Sequence, residues 1–252
     1  MTCKICGCKT QELFIKKILK KYNIQYFKCD NCEFIQTEKE YWLEEAYSNS
    51  INSTDVGYMQ RNIFYSKRLL ILLYLLFKKN GKYLDYAGGY GVFVRLMRDN
   101  GFNFYWEDKF TQNLFARCFE SNNQINFNAV TLFEVFEHFE NPINEIESIL
   151  KLTDTIIFST EVYPKLIPEN WWYLGLDHGQ HISLYSKKTF NYIAVLFDLK
   201  YYNIGSLHIL SKTHIPFWKL KAMLLERIGL DLFIKKRLKS KTVFDYNYIK
   251  NL

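Results

Sequence analysis

The sequence predicts an α/β protein: a mostly parallel sheet with helices on both faces, preceded by a small cysteine-bearing ribbon. Three observations predict it. From Lys82 onward, apolar runs of strand length alternate with runs of helix length, the pattern of a parallel sheet with helical crossovers. A small-residue turn, Ala87-Gly88-Gly89-Tyr90-Gly91, lies between the first of these strands and the first of these helices. Five of the six cysteines, Cys3, Cys6, Cys8, Cys29 and Cys32, crowd into the N-terminal stretch.

The ribbon comes first. Cys3-Lys4-Ile5-Cys6 and Cys29-Asp30-Asn31-Cys32 are two C-x-x-C knuckles, a spacing that places four thiolates tetrahedrally around Zn²⁺. Between them, Leu13 to Leu19 and Ile24 to Phe27 read as strands around the turn Lys21-Tyr22-Asn23. So short a segment has too little core to fold without its metal. Four cysteines leave no open coordination position, so the zinc is read as structural. A disulfide pair or a redox C-x-x-C is the competing reading. Cys8 is a spare that can replace Cys6, and Cys118 reads as a buried core thiol.

The chain then runs through a polar stretch, Glu38 to Asn62, with a short helix around Trp42 to Tyr47 and a loop through Asp55 and Gly57. A well-buried helix is expected over Ile63 to Lys79, stopped by Asn80-Gly81. The alternation follows: strand Lys82 to Tyr86, helix Gly91 to Asn100, strand Asn103 to Glu107, strand Asn128 to Phe133, helix Asn141 to Leu150, strand Thr155 to Ser159. A helix over Ser186 to Phe197 and a hairpin of Tyr201 to Ile204 with Leu207 to Leu210 close the domain. From Phe217 the chain is basic and amphipathic, which reads as a terminal helix packed on the sheet or as a segment docking to an anionic lipid surface. The expected organisation is a zinc ribbon over 1–40, a helical linker over 41–80, the sheet domain over 81–215 and the tail over 216–252.

Composition narrows the classes. At 48% hydrophobic and 23% charged, the 252 residues can bury a full core, and the 18% aromatics read as core fillers. The formal charge of +7 fits an anionic partner, or equally a Lys-rich composition with no functional meaning. Met1-Thr2-Cys3-Lys4 leads directly into cysteines rather than a cleavable signal, and the apolar run Leu69 to Phe77 is too short to span a bilayer. A cytoplasmic protein is expected, and in a reducing compartment paired cysteines favour metal.

The turn after the first strand is the candidate cofactor site. Ala87, Gly89 and Gly91 let the backbone bend sharply and approach a ligand. Asp85, at the head of the turn, can hold the amino group of a methionine moiety. Asp108, just after the next strand, can accept hydrogen bonds from both hydroxyls of a ribose. A nicotinamide dinucleotide is the competing ligand, but the G-x-G-x-x-G fingerprint is absent, since Val92, Phe93 and Val94 follow Gly91.

These residues resemble class I S-adenosylmethionine-dependent methyltransferases. Asp85 to Gly91 is similar to their D-x-G-x-G-x-G motif, with Ala87 in place of the first glycine. Phe127 to His138 is similar to their F-D-x-V-x-x-x-E-V-x-E-H strand motif, with Asn128 where Asp is usual, a change expected to weaken a structural hydrogen bond. His181-Ile182-Ser183-Leu184-Tyr185-Ser186 resembles their H-x-x-x-F/Y-S segment. The likeness covers Lys82 to Leu210, and with the ribbon the chain resembles zinc-ribbon methyltransferases associated with sugar and surface-glycan biosynthesis. The resemblance implies a Rossmann-like catalytic domain that binds S-adenosylmethionine through Asp85, Ala87, Gly88, Gly89, Gly91 and Asp108. Phe133 and Glu134 then fall at a strand end near the cofactor, Phe119 and Glu120 are candidates for the adenine loop, and Arg61 for the cofactor carboxylate or an acceptor phosphate.

Methyl transfer to a hydroxyl needs a base and an ordered acceptor. His178 and His181 lie in Trp171 to His181, a loop with two tryptophans after the strand Thr155 to Ser159. This loop reads as an acceptor pocket, or as a packed lid whose histidines cap backbone groups. His178 is the expected base, with His181 and Glu161 as further catalytic candidates, and Glu137 and His138 read as a pocket pair or a helix start. The expected acceptor is a small molecule, a sugar or nucleotide-linked precursor, with no nucleic acid. A nucleic-acid methyltransferase using the ribbon for binding, and a non-catalytic zinc-ribbon protein, are the alternatives.

Overall fold

The computed structural model describes residues 1–48, 55–77, 80–122 and 126–252. In chain order the elements are β1 (Thr10–Ile18), β2 (Tyr22–Cys29), β3 (Ile35–Thr37), α1 (Leu43–Ala46), α2 (Tyr58–Leu76), β4 (Lys82–Tyr86), α3 (Val92–Asp99), β5 (Asn103–Glu107) and β6 (Ala129–Phe133). They continue with α4 (Pro142–Leu150), β7 (Thr155–Ser159), β8 (Ser183–Leu184), α5 (Lys187–Leu196), β9 (Lys200–Ile204), β10 (Leu207–Ser211), α6 (Phe217–Ala222), α7 (Leu230–Lys235) and α8 (Thr242–Lys250). The result is a mixed α/β fold with a parallel-rich sheet flanked by helices. Contacts divide the chain into two compact units. One comprises residues 1–52, 133–151 and 158–212, the other residues 53–132, 152–157 and 213–252, so that β6 and β7 contribute residues to both.

The second unit carries strands in the order β5-β4-β6-β7. Strand β4 pairs in parallel with β5, Asp85 opposite Trp106, and with β6, Asp85 opposite Thr131. Tyr83 and Leu84 of β4 and Phe104 of β5 are fully buried, and the rings of Tyr83 and Phe104 stack at 5.1 Å. Leu69 to Leu73 of α2 are buried in a continuous run, each contributing roughly 1.5–3 kcal/mol, and α2 packs on α3, α6 and α7. Helix α2 begins at Tyr58, five residues before the expected Ile63. The polar start hides its periodicity, and the bidentate pair of Arg61 with Asp55 holds that first turn. The expected end at Lys79 lies outside the described residues. Asn128 keeps its structural bond despite replacing Asp: its Oδ1 accepts from the Lys82 N–H at 2.9 Å.

The first unit holds a separate antiparallel sheet, β1-β2-β3-β8, and the hairpin β9-β10. The β1–β2 turn falls at Leu19-Lys20-Lys21, not at the expected 21–23. Leu19 and Lys20 take the left-handed conformation (φ 50° and 56°) with no glycine or asparagine to announce it. The ribbon strands share a core with a distant segment: Ile18, Ile24, Tyr26, Ile35 and Trp42 pack with Tyr173, Leu174, Ile182 and Leu184. Cys118, expected in the core, is exposed, at a left-handed φ of 70°.

Candidate functional site

The turn after β4 is built from backbone in unusual conformations. Ala87, Gly89 and Gly91 all have positive φ, at 55°, 55° and 84°. The loop is tied to the tip of β5, where Oδ2 of Asp108 accepts from the Gly89 N–H at 2.9 Å and the Trp106 indole N–H donates to the Gly89 carbonyl at 2.8 Å. The other Asp108 oxygen accepts from the N–H groups of Phe110 and Thr111 at 2.7 and 2.8 Å. These bonds fix the carboxylate beside the turn, and its remaining lone pairs can receive hydroxyl donors.

Asp85 is only 3% exposed. The Thr131 hydroxyl donates to its Oδ1 at 2.6 Å. Burial raises its pKa to about 7 despite the Thr131 bond, and the charge of Asp108 adds to the rise. A ligand bringing an ammonium or sulfonium group to the head of the turn would favour the charged form of this buried carboxyl. Tyr58, not singled out in the sequence, belongs here as well: its hydroxyl oxygen would lie 2.7 Å from a side chain placed on Gly89. Its distance from the motif in sequence and its place at the polar start of α2 concealed it.

Two expected cofactor residues are engaged elsewhere. Arg61 is paired with Asp55 through both guanidinium NH groups, at 2.7 and 2.5 Å. Phe119 is buried under the Arg98 guanidinium, 3.5 Å from ring centroid to Cζ, and stacks on Tyr248 at 6.0 Å, so it packs α8 onto α3. Glu120 accepts from the Asn113 amide at 2.6 Å.

In the other unit, β6 ends at Phe133, and Glu134 follows at a left-handed φ of 55°. Ser159 donates its hydroxyl to Glu134 Oε1 at 2.6 Å and accepts from the Glu134 N–H at 3.0 Å. A single turn of 3₁₀ helix, Phe136–His138, comes next.

The loop Trp171 to His181 is held by the ribbon and α1. Trp42 donates to the Gly179 carbonyl at 2.8 Å, Gln180 donates to the Ala46 carbonyl at 2.8 Å, and the Leu19 N–H bonds the Leu176 carbonyl at 2.8 Å. Gly175, at φ 60°, sits against the His178 ring: a Cβ there would lie 2.5 Å from Nε2. The loop gathers three histidines, with the His181 ring 4.7 Å from His178 and 5.0 Å from His138. Tyr173 lies on the same group, 4.7 Å from His181. His178 Nδ1 accepts from the Gln180 N–H at 3.1 Å, which leaves the proton of the neutral ring on Nε2. His181 Nδ1 faces the Tyr173 carbonyl at 2.6 Å and so donates, leaving its lone pair on Nε2. Burial holds the His181 pKa well below the usual value and His138 at about 4. Glu161 lies apart from this group. It is exposed and lines a polar cavity of about 380 Å³ with Thr160, Lys187, Asn203 and His208.

The knuckle cysteines converge. Cys3 and Cys32 sulfurs lie 3.5 Å apart, Cys6 and Cys29 sulfurs 3.4 Å, and all four fall within 4.8 Å of one another. A tetrahedral Zn²⁺ with bonds of about 2.3 Å places its sulfurs about 3.8 Å apart, close to these separations and far from the roughly 2 Å of a disulfide. Cys8 is exposed and outside the group. Among the described residues no helix is long and apolar enough to cross a membrane.

A match to the methyltransferase domain family covers residues 59–203. Among solved structures the chain is similar to the plantazolicin methyltransferase in complex with SAH, at 13% identity and a TM-score of 0.46 over 77% of this chain and 84% of that one. It is similar to an O-methyltransferase family protein from Burkholderia thailandensis, at 13% identity and a TM-score of 0.46 over 70% of this chain and 64% of that one. A methyltransferase of calicheamicin biosynthesis, in its SAH-bound form, gives 12% identity and a TM-score of 0.44 over 66% of this chain, which spans 59% of that protein. No curated protein matches the sequence.

Proposed function

The chain belongs to the methyltransferase domain family, and from that premise we propose that it is an S-adenosylmethionine-dependent methyltransferase that methylates an oxygen of a small acceptor, a sugar, nucleotide-linked or phosphate-derived precursor of a surface glycan. The observation that carries the cofactor assignment is Asp85: a carboxyl 3% exposed, at the head of a left-handed turn, with its pKa raised to about 7 by burial. S-adenosylmethionine supplies an electrophilic methyl group on a sulfonium. Asp85 pairs with the amino group of its methionine end, the turn from Ala87 through Gly88 and Gly89 to Gly91 gives the backbone its close approach, and Asp108 receives the ribose hydroxyls.

The histidine loop supports the acceptor half of the reading. Trp172 is 72% exposed with its ring edge-on to Tyr173, an apolar platform for a sugar face. His178 presents an N–H at Nε2 that can orient a hydroxyl, while His181, neutral through burial, offers a lone pair that can receive the acceptor proton as the methyl passes from the sulfonium, which leaves as a thioether, to the acceptor oxygen. This moves the role of base from His178, where the sequence placed it, to His181, and gives His178 the part of donor. Glu161 and Lys187 line the polar cavity, suited to a charged part of the acceptor.

The four cysteines Cys3, Cys6, Cys29 and Cys32 hold a structural Zn²⁺ in this account, and the ribbon serves to brace the loop through Leu19 and, with α1, through Trp42. The basic tail is read as a peripheral contact with anionic lipid, because Phe217, Trp218, Ile228, Leu232 and Phe233 are all more than half exposed among lysines and arginines. Loss of vesicle co-sedimentation in a Phe217→Ser, Trp218→Ser variant tests that contact.

The test of function is calorimetry of the zinc-loaded chain with S-adenosylmethionine, S-adenosylhomocysteine and NAD, followed by a labelled-methyl turnover screen over nucleotide sugars and phosphorylated small molecules. Binding of the first two and label on oxygen of an acceptor are expected. Binding of NAD alone would reject the cofactor assignment, and label appearing only on RNA or DNA would reject the acceptor class.

A further inference from the structure

Beyond the four-cysteine cluster the first unit contains a second group with the composition of a metal site. Glu137, His138 and His181 each bring one ligand atom to within 4.8 Å of the others. Glu137 is fully buried, and its carboxylate oxygens make no well-formed hydrogen bond among the described residues, although the Tyr173 and Thr160 hydroxyls lie near them. A carboxylate buried this deeply needs a proton or a cation to offset its lost hydration.

The two histidines are set to be ligands. His138 Nδ1 faces the Gln180 carbonyl at 3.1 Å, and a carbonyl only accepts, so Nδ1 carries the proton. The same reasoning fixes the His181 proton on Nδ1, against the Tyr173 carbonyl at 2.6 Å. Both rings therefore present the Nε2 lone pair, each oriented by a backbone carbonyl behind it, which is how metal-binding imidazoles are commonly held. The Tyr47 hydroxyl, 3.1 Å from His138 Nδ1, adds to that support. His178 is not a ligand in this arrangement, since its proton lies on Nε2.

We propose that Glu137, His138 and His181 bind a divalent transition-metal ion such as Mn²⁺ or Zn²⁺, with coordination positions left open for an oxygen of the acceptor. Two imidazoles and one carboxylate favour such an ion over Mg²⁺ or Ca²⁺, which take oxygen ligands. Three protein ligands leave room for an exogenous one, unlike the closed cysteine site. The metal's part in catalysis rests on the methyl-transfer reading: an acceptor hydroxyl held on the ion would have a lowered pKa and would give its proton to solvent, with His181 serving as a ligand rather than the base. Metal binding itself does not depend on that reading.

The experiment is titration of the chain, its cysteine site already filled with Zn²⁺, with Mn²⁺ alone. Free Mn²⁺ is read by electron paramagnetic resonance, and S-adenosylmethionine binding is measured in parallel by calorimetry. One Mn²⁺ per chain is expected. Glu137→Gln, which keeps the side-chain shape, and His181→Gln, which keeps a polar side chain, should each weaken it by at least about tenfold, the loss that follows even removal of an outer-shell partner. Both variants should bind S-adenosylmethionine with unchanged affinity, showing that the fold is intact. No uptake beyond the cysteine-bound zinc, or equal uptake by the parent and both variants, would overturn the proposal. Failure of S-adenosylmethionine binding with Mn²⁺ binding retained would instead count against the cofactor assignment alone.

Discussion

The Thr131 hydroxyl donates a 2.6 Å hydrogen bond to Asp85, yet burial still raises the Asp85 pKa from 3.8 to about 7. The folded state therefore holds its proton more tightly than the unfolded chain. Stability from this group is undiminished below the ordinary carboxyl range and falls as pH rises from about 4 to about 7, by a total on the order of 4 kcal/mol. A cationic ligand prefers the charged form. Cofactor affinity should thus rise about tenfold per pH unit up to about pH 7 and level off above it. Asp85→Asn should bind the cofactor at least about 100-fold more weakly with no such pH dependence, and should be more stable than the parent at pH 8. Calorimetry across pH 5.5 to 8.5, roughly the range that brackets that midpoint, checks this, and a flat profile for the parent would refute it.

Arg98 and Asp245 form a buried bidentate pair, with bonds of 2.9 and 2.6 Å, that ties α8 to α3. Arg98 also donates to the Phe104 carbonyl at 2.9 Å and lies over Phe119. Asp245→Ala strands a buried guanidinium and should cost about 3–5 kcal/mol in urea unfolding. A loss under about 1 kcal/mol, the scale of an exposed pair, would mean that the pair is not buried in solution.

The same pair marks where reading the sequence reached and where it stopped. Strands β4, β5 and β7 are predicted to the residue, because each is a short apolar run bounded by strong turn or helix signals. The cysteine knuckles and the bend after β4 are equally plain, since their spacing is local. What remained hidden is long-range. Strand β3 is three residues long and pairs with Ile35 opposite Leu184, a partner no local pattern can name. Phe119 is an aromatic like many others until Arg98 and Tyr248 are seen against it. Glu137 and His138 were visible as neighbours, but their meeting with His181 depends on a loop held by Trp42 and Gln180. Asn128 was read from the residue type usual there, whereas an amide oxygen accepts the Lys82 N–H as a carboxylate would.

Zinc removal offers a sharper test of the ribbon. Strands β1 and β2 lie between Cys6 and Cys32 and share a core with Tyr173 and Ile182. A chelator should therefore expose the knuckle thiols and loosen the histidine loop together, seen as a rise in titratable thiols and a lower melting temperature. Cys6→Ser should lose the bound zinc, and Cys8→Ser should retain one per chain. The reverse result would place Cys8 among the ligands.

Ala87 and Gly91 share a left-handed backbone but not the same surroundings. At Ala87, φ is 55° and the side chain bears the conformational cost that glycine avoids. Ala87→Gly should relieve it, stabilising the chain by about 1 kcal/mol, offset in part by the greater freedom of glycine in the unfolded state. At Gly91, φ is 84° and an added Cβ would lie 2.8 Å from Asn113 Oδ1, 3.0 Å from Ala116 Cβ and 3.1 Å from Ala116 N. Gly91→Ala therefore meets strain and collision at once and should cost about 2 kcal/mol or more. Because the bend is also the proposed cofactor contact, Gly91→Ala should weaken S-adenosylmethionine binding, while Ala87→Gly should leave it within about twofold. That limit is a difference of about 0.4 kcal/mol. Thermal unfolding and calorimetry on the two variants separate the effects, and equal stability for both would show that the turn is not held in these conformations.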